Sequence, residues 1–440
     1  MSSTSTRLHA GLFVPLVLVA ALVAPAAAQP QAAGAGQPPL IDRELFFGNP
    51  EIAGAQISPD GQFIAFIKPY KDTRNIWVKK TAEPFTAAKL ITADTRRPIP
   101  GYFWSRDSKY ILFVQDQAGD ENYNVYAVNP AESPASGEDA PAARNITDAK
   151  SVRALIYDVP RTDPDAILVG LNDRDAAWHD LYKVKISTGE RTLLRRNTER
   201  IAGWMFDNKG DLRLALRTDD NGDTEVLRVE SDGFEKIYSC TVFESCGPIR
   251  FHKDNTRVFM MTNKGDPDLM GLVLFDVVTG AEQFVESDPL GRVDLGGSRF
   301  SDLTDELLVT VYTDERTRRY FKDKALEADY ALLTKKLPGR EVNLASSTTD
   351  ERLWLVSASA DTEPGGTYLF DRESKQLTLQ YRIREKLPRE HLAPMQSIRY
   401  TSSDGLEIPA YLTLPTGVPA KGLPLIVVPH GGPWARDMWG

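Results

Sequence analysis

The residues whose types and spacing could do chemistry lie at one end of the chain. From Leu423 it reads LPLIVVPHGGPWARDMWG and runs to Gly440. Leu425 to Val428 is a short, unbroken apolar run rich in β-branched side chains, the pattern of a strand buried on both faces of a parallel sheet. Pro429, His430, Gly431, Gly432 and Pro433 then break it. Small residues in such a turn let a substrate carbonyl approach the backbone, and a free N–H there can stabilise the negative charge of a tetrahedral intermediate. The same five residues also fit a plain strand-ending turn.

An oxyanion donor works with a nucleophile and a base. No G-x-S-x-G occurs, and Gly296-Gly297-Ser298-Arg299-Phe300 lacks the closing glycine. His179 and His252 fall within repeated segments and His391 in a junction, none beside a serine in a matching context. The two cysteines, Cys240 and Cys246, are separated by five residues. In an exported chain they predict a disulfide closing a local loop, with a pair of free thiols as the alternative. No third or fourth ligand lies near them, so no metal is expected, and no cofactor.

The formal net charge is −9, which leaves no basic footprint for nucleic acid. Residues 1–28 contain Arg7 as their only formally charged side chain, an apolar stretch from Leu12 to Val23, and then Ala26-Ala27-Ala28. That is a secretory signal with cleavage after Ala28, too short to be read as a membrane span. The expected mature protein is periplasmic or secreted, begins with a linker and N-terminal segment over 29–49, and has no membrane span.

The elements that must position the terminal motif form a repeat. An aspartate turn leads into an alternating strand at Phe63–Ile67, Tyr110–Val114, Ala166–Leu171, Leu212–Leu216, Val258–Met261, Leu307–Val311 and Leu353–Val356. The turn aspartates are Asp60, Asp107, Asp163, Asp207, Asp254, Asp302 and Asp350, at intervals of 47, 56, 44, 47, 48 and 48 residues. β-rich units at that period are blades, so a mostly β chain with a seven-bladed β-propeller is expected over 50–385. The aspartates are read as structural, since such a side chain bonds its own turn. Tyr320 to Lys336 is predicted to be a helix inserted between strands, with Phe321, Ala325, Ala328 and Leu332 on one face. The period stops at Pro388. A hairpin over Ile398–Thr401 and Ile408–Leu414 then opens a new domain over 394–440.

In the repeat, the SSDGLEIPAYLTLP hairpin and LPLIVVPHGGPWARD, the chain resembles the prolyl oligopeptidase family of serine peptidases. It is most similar to acylaminoacyl-peptidase-like and dipeptidyl-peptidase-like bacterial members. The resemblance runs from ISPDGQFIAF to HGGPWARD. It implies that 394–440 is the start of an α/β-hydrolase catalytic domain. It also implies acyl-enzyme hydrolysis of short peptides by a Ser, Asp and His lying after HGGP, beyond the given sequence. The propeller would gate access, and the chain alone would be inactive. Carried over residue by residue, Gly432 offers its N–H to the oxyanion and Gly431 gives the turn its freedom. His430 orients the loop, and Arg436 with Asp437 forms a local ion pair. The Glu-Glu pair with which the dipeptidyl-peptidase branch holds a substrate amine is absent. The competing expectation is a non-catalytic periplasmic propeller that binds protein or peptide. The sequence leaves the oligomeric state open.

Overall fold

The computed structural model describes residues 39–265, 268–432 and 435–440. The signal segment with its cleavage after Ala28, the first part of the linker, and Pro433 lie outside the described residues. A short helix, α1 (Arg43–Phe47), which the sequence reading did not anticipate, occupies the end of the linker. The Arg384 guanidinium ties it down by donating to the carbonyls of Leu45 and Gly48.

Seven antiparallel sheets follow, each a meander of strands consecutive in sequence. They span 53–90, 102–145, 154–195, 201–240, 246–286, 297–321 and 341–382, and we call them blades one to seven. All have four strands except blade six, which has three. The seven strands singled out by the aspartate turns are the second strand of every blade. The second and third strands are the most buried, as in Ala166–Asp175 and Gly271–Asp276, while a fourth strand such as Arg191–Arg195 is largely exposed.

The turns form for local reasons. In blade one the Asp60 carboxylate accepts from the Gln62 N–H at 3.0 Å, and the Ser58 hydroxyl accepts from the Phe63 N–H at 2.9 Å. Blades two and seven repeat the device with Ser105–Asp107 and Thr348–Asp350. Asp207 and Asp254 cap their turns through backbone N–H groups. Two aspartates depart from this role. Asp163 pairs with Lys183 at 2.6 Å, and Asp302 turns away from its own loop towards arginines of other blades.

Neighbouring blades share apolar clusters. Ile76 and Ala65 pack on Ile111 and Phe113 between blades one and two, and Leu112 and Val125 on Ile167 and Val169 between two and three. Between blades six and seven the filler is α2 (Lys324–Lys336), which stands where a fourth strand would be. It starts at Lys324, four residues later than predicted, because Thr317–Phe321 is the third strand of blade six and Asp323 caps the Leu326 N–H. Its buried face carries Leu326, Asp329 and Leu333, not the predicted set. Asp329 fixes that face by pairing with Arg372 and Lys375.

No strand is exchanged where blade seven meets blade one. The ring closes there through Ile57, Ile64 and Phe66 packed on Leu355 and Tyr381, and through the Ile57 N–H to the Ser346 hydroxyl at 3.0 Å.

A meander has two ends, which gives the ring two faces. One carries the aspartate turns between first and second strands. The other carries the turns between second and third strands and the links between blades. After blade seven the predicted hairpin forms from Met395–Thr401 and Glu407–Thr413, a separate two-stranded sheet. It docks on the second face. The Met395 N–H donates to Asp361 at 2.7 Å, the Tyr411 hydroxyl to the Glu315 carbonyl at 3.0 Å, and Arg399 pairs with Asp314 and Glu315.

Candidate functional site

The terminal motif is carried by this docked segment. Trp439 is buried, lies 3.0 Å from the Arg316 guanidinium carbon over its ring, and donates to the Met395 carbonyl. The Arg436 guanidinium donates to the carbonyls of Thr313 and Asp314 in the blade-six turn. The local Arg436–Asp437 ion pair is therefore not formed: two blade carbonyls take the guanidinium, and Arg436 meets Asp437 only at its backbone oxygen, at 3.4 Å. His430 Nδ1 lies 2.8 Å from the Gly431 carbonyl, a contact within the loop itself. Gly431 and Gly432 are exposed, and a Cβ on Gly431 would meet nothing.

The expected strand at Leu425–Val428 is not present. The four side chains are 75–82% exposed and the segment joins no sheet. A parallel strand exists only between hydrogen-bonded neighbours, and among the described residues none offers it an edge. It does not close a blade either: blade seven is completed by Gln376–Arg382.

The acids on the docking face are held by arginines. Glu363 meets Arg389 at 2.9 Å, Arg382 at 3.5 Å and Arg340 at 3.7 Å. Asp288 takes both ends of the Arg318 guanidinium, at 2.6 and 2.8 Å. The Arg318 hydrogen bond holds the Asp288 carboxyl well below the usual carboxylate range, outweighing burial, and the N–H groups of Arg292, Leu290 and Val293 add to it. Cys240 and Cys246 are bonded, with Cα atoms 6.1 Å apart. Their loop, also on this face, exposes Val242 and Phe243.

Among the described residues no histidine shares a hydrogen bond with a serine. His179 is half-buried with Nε2 unpartnered, and burial pushes its pKa down, with Arg153 adding to the effect. His252 caps its own turn against Asp254 at 2.8 Å. Among the described residues no group of His, Cys, Asp or Glu side chains is placed to hold a metal ion, and no helix is long and apolar enough to cross a membrane.

A second site, missed from sequence, lies at the opposite end of the axis. A cavity of about 510 Å³ opens among the ends of the first strands, with Tyr157, Trp204, Arg250 and Ser298 in its wall. Arg106, Arg161 and Asp302 stand at the same site. The Trp204 Nε1 is buried without a partner. Burial pushes the Asp158 carboxyl up, against the Val159 N–H and the arginines Arg106, Arg161 and Arg250. The available signal was the blade-six turn, SDLTDE, which holds three acids where the corresponding turn of blade one, SPDGQ, holds one.

No family model matches the chain. It is 33% identical over 435 residues to dipeptidyl aminopeptidase BIII of Pseudoxanthomonas mexicana, covering 96% of this chain and 61% of the relative. To dipeptidyl peptidase family member 6 of Caenorhabditis elegans it is 26% identical over 434 residues, covering 91% and 58%. The chain thus spans about three-fifths of the length of the curated relatives it matches. Among solved structures it is similar to a prolyl endopeptidase (TM-score 0.58, 13% identity, 85% of this chain and 55% of that one). It is also similar to puromycin hydrolase (TM-score 0.55, 14% identity, 87% and 61%). At those identities the likeness speaks for the fold. Sequence relatives and propeller together support a dipeptidyl-peptidase-like member of the prolyl oligopeptidase family.

Proposed function

We propose that this chain is the propeller and the opening segment of an exported serine-type peptidase that hydrolyses short peptides. The observation that carries the reading is the hairpin docked on one face of the ring with the HGG segment exposed after it, in a chain related along its length to a dipeptidyl aminopeptidase. That face is where a hydrolase domain beginning at about residue 394 would sit. Residues 425–428 would pair into its sheet. The Gly432 N–H would face the oxyanion, and the serine, aspartate and histidine would follow in sequence. The propeller would limit access to the chamber between ring and catalytic domain. Glu363 and its neighbouring acids are already engaged by arginines, so a substrate amine would have to compete for them. Cleavage after Ala28 would deliver the protein to the periplasm or beyond, where the Cys240–Cys246 bond is stable.

A fluorophosphonate probe tests this. The protein encoded by the whole reading frame should be labelled at one serine in a G-x-S-x-G context, and residues 1–440 should not be labelled. Labelling of 1–440, or a reading frame that stops at Gly440, would overturn the reading and leave a binding propeller.

A further inference from the structure

A ring of seven blades has seven outer edges, and an uncovered edge strand is a template for pairing with another chain. Six of these edges are blunted. Blades one and two end on two-residue strands, Lys89–Leu90 and Arg144–Asn145. In blade six α2 takes the place of the outer strand. The outer strand of blade four, Gly233–Cys240, sets Glu235 and Lys236 at its middle, where they pair with Arg228 and Glu225 of the same blade. The edges of blades three and five carry like charges at both ends, Arg191 with Arg195 and Glu282 with Glu286.

Blade seven differs. Its outer strand, Gln376–Arg382, has no charged residue before Arg382. Gln376, Thr378 and Leu379 are exposed, Leu379 by 42%. The ladder to the third strand runs unbroken from Gln376 to Leu379 and bulges at Gln380. The Thr378 carbonyl accepts from the Gln380 side-chain amide at 3.3 Å, an exposed contact within the edge itself. This edge also reads the same in both directions: Gln376-Leu377-Thr378-Leu379-Gln380 is centred on Thr378. Antiparallel pairing of two copies about that centre sets Thr378 opposite Thr378, Leu377 opposite Leu379 and Gln376 opposite Gln380. Thr–Thr and apolar cross-strand pairs are favourable, and no charge faces a like charge. The same operation on blade three or five would set Arg191 opposite Arg195 or Glu282 opposite Glu286, which is repulsive. The flanks complement each other as well. Glu373, in the turn before the strand, is 75% exposed, and Arg382 stands at the far end, so the acidic end of each copy meets the basic end of the other. The cations of that turn, Arg372 and Lys375, are taken by Asp329.

We propose that the outer edge of blade seven is a docking surface for a second copy of this chain. The two four-stranded blades join there into one continuous sheet, across a two-fold axis through Thr378. A two-fold interface uses the same patch on both partners and so requires self-complementarity, which this edge has. An edge pair of this length lies at the small end of specific interfaces, under about 1,200 Å² in total, so the dimer is a reversible one in the micromolar range. The surface lies on the rim of the ring and does not rest on the peptidase reading, so its test needs no turnover.

The test uses the protein encoded by the whole reading frame. Directly opposed residues of an antiparallel pair have Cα atoms about 4.5–5.5 Å apart, within reach of a disulfide. Thr378→Cys should therefore crosslink two copies under mild oxidation. Thr192→Cys, on the exposed edge of blade three, is the control and should not. Cys240 and Cys246 are bonded to each other and do not compete. In sedimentation velocity, Thr378→Lys and Thr378→Glu should each raise the dimer dissociation constant about fivefold, because like charges then face each other. An equimolar mixture of the two variants should recover the parent value. Thr378 is exposed, so both variants should keep the parent melting temperature, which separates a lost interface from a lost fold. Crosslinking at position 378 no faster than at 192 would overturn the proposal, as would a dimer that Thr378→Lys leaves intact. A monomer throughout a series reaching about 100 μM would do the same. Crosslinks formed only between a Thr378→Cys copy and a Thr192→Cys copy would mark a head-to-tail contact and also overturn it.

Discussion

At the residue scale, stability and the proposed chemistry depend on groups whose environment fixes their state. Gly432 is the one residue of this chain proposed to touch the transition state. In the whole protein, Gly432→Pro removes its N–H and should lower kcat by about two to three orders of magnitude, the effect of losing one oxyanion donor. Steady-state kinetics would show this as a fall in kcat at near-constant KM. Asp288 carries structure instead. Its side chain is fully buried against Arg318, so Asp288→Ala should destabilise the ring by about 3–5 kcal/mol, measurable by urea unfolding. The same pairing sets an acid limit. Because the native carboxyl is held below its unfolded value of about 3.9, its contribution is complete above that pH and is lost as pH falls towards the depressed native value. Urea midpoints should therefore fall below about pH 4 in the parent and change less with pH in Asp288→Asn.

At the element scale the second strand of every blade was legible, because an aspartate turn and an alternating run are local signals. The hairpin after blade seven was legible for the same reason: Ser402, Asp404 and Leu406 repeat the turn device of the blades. Elements whose boundaries depend on distant partners were not. The α2 helix was found, but its buried face was set by Asp329 pairing with Arg372 and Lys375, 43 and 46 residues away. Residues 425–428 have the composition of a buried strand, yet composition cannot supply the neighbouring strands that make one. The Arg106–Asp302 and Arg161–Asp305 pairs join residues 196 and 144 apart, and no local pattern marks them. α2 is expected to be essential as a wedge: Leu333, fully buried with Trp354 and Val356, should cost about 2–5 kcal/mol when replaced by Ala. The Cys240–Cys246 bond closes a short loop, so Cys240→Ser with Cys246→Ser should cost about 2 kcal/mol and lower the melting temperature without unfolding blades four and five.

At the scale of the whole molecule, seven sheets form a ring without exchanging a strand at the seam, and its two faces are treated differently. One is bridged by the Arg106–Asp302 and Arg161–Asp305 ion pairs, between blades that are not neighbours. The other receives the chain as it leaves blade seven and displays the HGG segment. That asymmetry is what a peptidase needs if substrate is to be selected by size and admitted on the catalytic side. The direct measurement is hydrolysis by the protein encoded by the whole reading frame, offered a short peptide and an unfolded full-length protein containing the same sequence. Cleavage of the short peptide with kcat/KM at least about a hundredfold above that for the long chain is predicted. Equal cleavage of both would contradict the access role given to the ring, and cleavage of neither would contradict the peptidase assignment.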